Sequence, residues 1–434
     1  MSKYLYFFCL VAVVASCRST EDVLRSYIKD SWSRTVRENH VGDSTLIGLP
    51  YPYTVPSPEG MFQEIYYWDT YFTNEGLLED GMVYLAKNNT DNILYLVDKY
   101  GFMPNGNRTW YLNRSQPPFL SLMVFSVYKY IQDIDWLHKA YSILEKEYKF
   151  WMRDRITYCG LNRYSGESAP QWLIDEFVIT GGIRIGRDFT KEPMTQEEHD
   201  RIGRNFTAEA ESGWDFNPRF DRRCEDFCPV DLNSLMYAFE KNMSYFAKEL
   251  DLVETESVKW EKKAEIRKQR MMSLMYDREK MQFFDYDYVN DKRSDVVSAA
   301  VFYTLFSEVA DESIAGEVVK GALNSLEYRY GISVCEDKQY QYEYQWSYPN
   351  IWPPTTFIAV FGLDKYGYGE DAERIAKKYA ELVEKSWKET GRIWEKYDVN
   401  LGVVSSSKEY ETPVMLGWSA ATYVCLTNYL NNRK

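Results

Sequence analysis

The sequence predicts an all-α protein, and three observations carry that prediction. Leu232, Leu235, Met236, Phe239, Met243, Phe246 and Leu250 recur at steps of 3, 1, 3, 4, 3 and 4, one apolar face of an α-helix. Comparable helical stretches follow in sequential pairs, parted by short loops bearing aromatic residues, Gly and Pro. No run alternates apolar with polar residues and no βαβ rhythm appears. With 434 residues, 45% of them apolar, a dozen or so paired helices read as a helical toroid rather than a small bundle. No change of composition marks a second domain.

Taken in order, the chain opens with Lys3 and an apolar run, Tyr4 to Val14, too short to span a bilayer. Val14-Ala15-Ser16-Cys17 resembles the bacterial lipoprotein signal, cut before a cysteine whose thiol and new amino terminus take up lipid. The second reading is an ordinary secretory signal cut near Ala15 or Ser16. On either, residues 1–16 leave the fold and residues 17–434 form one domain. The expectation is export to the bacterial periplasm or cell surface, as a monomer attached to the membrane through lipidated Cys17.

A first helix is expected over 21–38, then a Pro-rich loop from Gly48 to Gly60. Aromatic residues cluster from Phe62 to Phe72, and helical periodicity runs through Leu77, Val83 and Leu85 to Gly101, a C-cap. Residues 104–118 read as loop, 119–133 and 136–154 as helices. Gly160 to Phe220 is polar, rich in glycine and read as irregular; a loop of that length inside a domain is usually functional. The helix through 232–250 is followed by segments near 256–277, 295–310, 313–328, 353–364, 369–389 and 413–430.

Composition narrows the chemistry. A formal charge of −14 without a basic patch argues against nucleic acid and anionic surfaces as partners. Tyr (37) and Trp (13) are abundant, and their flat faces with polar tips suit stacking on sugar rings. The three histidines, His40, His138 and His199, are scattered. Histidine triads and zinc sites are therefore not expected, no cofactor or metal is called for, and acid–base work falls to carboxylates. Cys224 and Cys228 are spaced for a local disulfide in an oxidising compartment.

One stretch stands out: Glu211-Ser212-Gly213-Trp214-Asp215-Phe216. Rings on both sides of Asp215 can desolvate its carboxyl group and raise its pKa, as a general acid requires. Gly213 permits a sharp turn and close approach. Alone, the stretch reads rather as a loop packed by aromatics with a capping Asp, and the rest of the chain reverses that reading.

Several other motifs accompany it in fixed order: PEGMFQEIYYWDTY at 58–71, PNGNR at 104–108, RSQPP at 114–118, PVDLN at 229–233, QWSYPNIWPP at 345–354, EKYD at 395–398 and KEYETPVMLGW at 408–418. Together they resemble the trehalase family of inverting glycoside hydrolases, whose fold is an (α/α)6 barrel. The resemblance implies Asp215 as general acid and Glu395 as general base, the two carboxyls about 6.5–9.5 Å apart with water between. It implies that Phe62, Trp68, Asp69, Asn105, Arg114, Gln116, Gly213 and Glu409 hold the sugar, an α-linked disaccharide. Lys396 would favour an ionised Glu395. Three departures bear on substrate choice. Met61 stands where the family has arginine, Ser347 where it has aspartate, and RPESY has no clean counterpart. Arg163 with Glu167, or Arg184 and Arg187, are the candidates to stand in. The expected reaction is release of glucose from α,α-trehalose or a related small α-glucoside. The alternatives are a hydrolase of another α-linked oligosaccharide and a surface sugar-binding protein with lapsed catalysis.

A lipidated Cys17 predicts that the mature protein partitions into the detergent phase of a phase-separation assay and that Cys17→Ala does not. Equal partition of the two would remove the anchor.

Overall fold

The computed structural model describes residues 19–406 and 411–433; Cys17 and the leader lie outside them. The α-helices of these residues are α1 (Thr20–Ser31), α2 (Tyr67–Glu79), α3 (Val83–Tyr100), α4 (Leu120–Ile131), α5 (Ile134–Asp154), α6 (Gln171–Arg184), α7 (Gln196–Ser212), α8 (Val230–Glu249), α9 (Glu254–Leu274), α10 (Val301–Phe306), α11 (Glu312–Leu326), α12 (Pro353–Lys365), α13 (Gly369–Thr390) and α14 (Gly417–Asn432). Helices α2, α4, α8, α10, α12 and α14 each touch the next, and α14 closes the ring on α2. Helices α3, α5, α9, α11, α13 and α1 pack outside them. This is the (α/α)6 barrel.

The sequence sorts the two rings by how much of each helix is apolar. All six residues of α10 are buried, and α12 buries Pro353 to Val360 without interruption. A helix apolar on every side belongs in the middle of a structure. The outer helices carry one stripe: α9 buries only Ser257, Trp260, Ala264, Arg267 and Met271, at steps of three and four. Ring closure needs one small residue, because a Cβ at Gly76 of α2 would sit 2.6 Å from Ala421 of α14.

Several expectations are corrected. The stretch read as irregular between 160 and 220 contains α6 and α7, packed on each other outside the two rings. Its glycines are packing residues: a Cβ at Gly181 would lie 2.7 Å from the Phe206 ring. A capping box, Thr195 with Glu198, starts α7. The first helix stops at Ser31, and Val36–Arg37 pairs instead with Tyr53–Thr54 from the Pro-rich loop. The segment 295–310 is helical only over Val301–Phe306, since Ser298 bridges to Cys335 and Ala299 donates to Val334. The last helix begins at Gly417, because Leu416 and Gly417 donate their N–H groups to Pro56.

One ion pair buried in the barrel wall joins an outer helix to an inner one. Arg267 reaches from α9 to both Glu240 oxygens on α8 at 2.9 and 3.0 Å, and also donates to Asn162 and Asn233. Both charges are almost fully buried. Arg267→Met leaves the Glu240 charge alone in the wall and is expected to cost about 3–5 kcal/mol in denaturant unfolding. Adding Glu240→Leu should recover part of the loss; a double variant less stable than the single one contradicts this account.

Candidate active site

The loops at one end of the inner ring enclose a cavity of about 250 Å³. Nine residues singled out in the sequence line it: Phe62, Trp68, Asp69, Asn105, Arg114, Gln116, Gly213, Asp215 and Glu395. Glu409 lies outside the described residues.

Each arrives by a definable route. Trp68 and Asp69 stand in the first turn of α2. That turn is docked by Tyr67 N–H donating to the Asn105 carbonyl and by Trp68 N–H reaching the Gln116 side chain at 3.3 Å. Gly213 ends α7 at φ 75, a left-handed backbone that only glycine adopts readily, and a Cβ there would lie 2.8 Å from the Trp68 indole. The chain then turns so that Asp215 faces the cavity. Glu395 is brought in by an antiparallel pair, Asn350–Ile351 with Tyr397–Asp398, which sets the EKYD loop against the QWSYPNIWPP loop.

The loops are held from behind by Glu211. Its carboxylate accepts two bonds from Arg155 at 2.8 Å, one from Ser115 N–H at 2.8 Å and one from Ser165 N–H at 2.9 Å. It is fully buried, and four donors offset the cost of burying that charge. Glu211 thus ties α7 to the loop that carries Arg114 and Gln116.

Three indoles form a column along the cavity, two of them in its wall. Trp346 stacks on Trp352 at 3.9 Å and on Trp214 at 5.4 Å. The Arg219 guanidinium caps the Trp214 end at 4.4 Å and the Lys396 ammonium the Trp352 end at 5.0 Å. Arg219 is fixed by Asp231 and Asp285, both buried. Lys396 is paired at 2.6 Å with Glu395. The column therefore runs from the neighbour of Asp215 to the partner of Glu395.

The electrostatics of the two carboxylates differ. Burial raises the Asp215 pKa, while the Arg184 and Arg114 guanidiniums pull it back. Glu395 is 1% exposed and touches an ammonium, which stabilises negative charge on it. Asp69 is pushed up to about 8 by burial and by the charges of Glu395 and Asp215. Burial thus favours the proton on Asp215, Glu395 sits against the Lys396 ammonium, and Asp69 lies within the field of both carboxylates. Such a division of roles is what proton transfer in two directions requires.

Further residues share the wall: Tyr66, Gln345, Trp346, Trp352, Met415 and Trp418 from within the motifs, and Tyr111, Phe177 and Arg184 from outside them. Of the arginine candidates, Arg184 reaches Asp215 at 3.3 Å. Arg163 pairs with Glu167 and Arg187 with Glu192. Phe177 and Arg184 belong to α6, the helix hidden in the stretch read as irregular; its only signal was the apolar set Leu173, Ile174, Phe177 and Val178. Met61 lies at the cavity wall, 45% exposed, whereas Ser347 is buried and outside the lining.

Comparisons with known proteins show the family and the fold. The family model described as Trehalase matches residues 4–431. A periplasmic trehalase of Xanthomonas axonopodis pv. citri is 31% identical over 94% of this chain and 73% of its own length. One from Pseudomonas aeruginosa is 32% identical over 91% and 74%. Among solved structures, the neutral trehalase Nth1 of Saccharomyces cerevisiae superposes with a TM-score of 0.75 at 28% identity, covering 97% of this chain and 81% of its own. A GH63 mannosylglycerate hydrolase of Thermus thermophilus, at 17% identity and a TM-score of 0.65 over 93% of this chain and 100% of its own, shares the fold.

Arg184 lowers the Asp215 pKa; on the reading of Asp215 as general acid, which must hold its proton to work, activity falls as pH rises through that pKa. Arg184→Gln removes the nearer cation and is expected to move the alkaline limb of the kcat/KM profile to higher pH. A limb that stays in place or moves down contradicts the assignment of that limb to Asp215.

Proposed function

This chain belongs to the trehalase family and is a glycoside hydrolase acting on trehalose, and on that premise we propose that the cavity works by inversion with Asp215 as general acid and Glu395 as general base. The observation that carries the reading is that these two carboxylates, 180 positions apart in the sequence, line the same small cavity. Asp215 gives its proton to the glycosidic oxygen as the bond to the anomeric carbon breaks. Glu395 takes a proton from a water that attacks that carbon from the opposite face. Lys396 balances the charge on the base before this transfer. Trp68, Asp69, Asn105, Arg114, Gln116 and Gly213 hold the glucosyl unit, joined by Phe62 and by Glu409 from outside the described residues.

Arg184 supplies the cation that Met61 and the missing RPESY motif do not, and it does so beside the acid, where the leaving sugar departs. Retention of both carboxylates speaks against a lapsed sugar-binding protein. The periplasmic relatives support export to the periplasm, and no described helix is long and apolar enough to cross a membrane. We place the chain there as a single catalytic domain, a monomer anchored through lipidated Cys17.

Asp215→Ala and Glu395→Gln are each expected to lower kcat/KM by at least about 10²–10⁴-fold while trehalose still raises the melting temperature. Proton NMR of fresh product from the native enzyme should show β-glucose appearing first. Near-native turnover in either variant, or α-glucose first, overturns the mechanism.

A further inference from the structure

The described cysteines are Cys159, Cys224, Cys228, Cys335 and Cys425, all free thiols, and four of them are buried. Cys224 and Cys228, spaced for a local bridge, do not face each other as partners. The Cys228 sulfur lies 3.8 Å from that of Cys159 instead. Thr157 Oγ1 touches both sulfurs, at 3.1 Å and 3.6 Å. Cys159 sits in the turn after α5 and is part-exposed, while Cys228 is completely buried in the short strand before α8.

The place of this pair in the fold gives it meaning. Cys159 precedes α6 and Cys228 follows the Asp215 loop, so the span of 69 positions from one to the other is the whole excursion that carries the acid, Arg184 and Phe177. Both ends are already fixed nearby. Asn162 N–H donates to the Asn233 side chain at 2.8 Å, and Asn233 Nδ2 returns a bond to the Asn162 carbonyl at 2.9 Å. Phe227 and Cys228 pair with Asp287 and Tyr286. Two sulfurs held in contact by fixed backbones need little more than side-chain rotation to reach the bonding distance of about 2.05 Å.

We propose that Cys159 and Cys228 are a disulfide-forming pair that closes the acid-bearing excursion at its base. The chemistry starts at Cys159, because Cys228 has no surface of its own. The Cys159 thiol is held down to about 6, by the Cys228 hydrogen bond first and then, against burial, by Thr157, the Leu161 backbone and Arg270. Its thiolate attacks an external disulfide, small-molecule or protein, forming a mixed disulfide and expelling one thiol. The Cys228 thiol gives up its proton and attacks the Cys159 sulfur, forming the intramolecular bond and expelling the second thiol. Two protein thiols are oxidised and one external disulfide is reduced to two thiols. Closing so long a loop removes freedom from the unfolded chain more than from the folded one. The consequence is a sturdier excursion, with the cavity untouched. That the bond forms in the cell rests on the export reading; that the pair can form it does not.

The test separates the two. Purified full-length protein is reduced, equilibrated with an excess of oxidised glutathione, alkylated and digested for mass spectrometry. The expected product is a peptide joining Cys159 to Cys228, with Cys224, Cys335 and Cys425 alkylated once unfolded. Oxidised protein should melt several degrees above the reduced form, and that difference should vanish in Cys159→Ser, which keeps native turnover on trehalose. Cys159 and Cys228 both remaining alkylatable, glutathione resting on Cys159 alone, or a Cys224–Cys228 bridge would each overturn the proposal. Fractionation of cells, read separately, decides export: a cross-link formed in vitro by protein recovered from the cytoplasm sinks the location and leaves the pair standing.

Discussion

The structure depends on a stack of aromatic rings closed at both ends by positive charge. Trp214, Trp346 and Trp352 come from two distant segments, and Arg219 and Lys396 seal the column from a third and fourth position. A flat indole offers little choice of spacing: rings in contact hold their planes at a fixed separation, and a cation over the outer face adds electrostatic attraction. Asp215 is one residue from the first ring and Glu395 is bonded to the last cation. The column thereby links the loop that carries Asp215 to the loop that carries Glu395.

Burying cations calls for anions behind them, and the fold provides these at Arg219 and at Arg155. Arg219 is held between Asp231 of α8 and Asp285, with Val230 N–H also donating to Asp285. Arg155 is held by Glu211, which in turn grips Ser115 and Ser165 through their amides. Each node joins segments far apart in the chain. Removing one partner of a buried pair costs more than the pair contributes, because the other charge is left without water or counter-ion.

Within the cavity a different balance operates. Three carboxylates, at positions 69, 215 and 395, lie close enough to feel one another, and burial works against ionising any of them. Lys396 favours charge at one, and the arginines at 114 and 184 restrain the rise at another. Glu209, buried behind Asp215 and pushed up to about 8 by burial first, adds a further acid on that side. With three histidines in the chain and none in the described wall, the proposed proton transfers fall to carboxyl groups whose surroundings differ.

Much of this was legible before any coordinates. Helical periodicity gave the all-α class, because the 3.6-residue repeat is written directly in the order of apolar side chains. The ordered motifs named nine residues that share the cavity, because a loop that must face a ligand carries its polar and aromatic groups at fixed spacing. Less was legible where local and tertiary demands conflict. Glycines at 181 and 203 read as loop yet let α6 and α7 touch, and residues 295–300 and 413–416 read as helix yet are drawn into extended pairing. The choice of Arg184 over its rivals, the column of indoles and the meeting of Cys159 with Cys228 depend on which segments lie side by side. By itself the sequence determined the helices, their two grades of apolarity and the chemical character of each loop, all properties of neighbours along the chain. Only the tertiary structure decided which loops meet, because contact between residues tens to hundreds apart is fixed by the closure of the ring and by buried charges finding their partners.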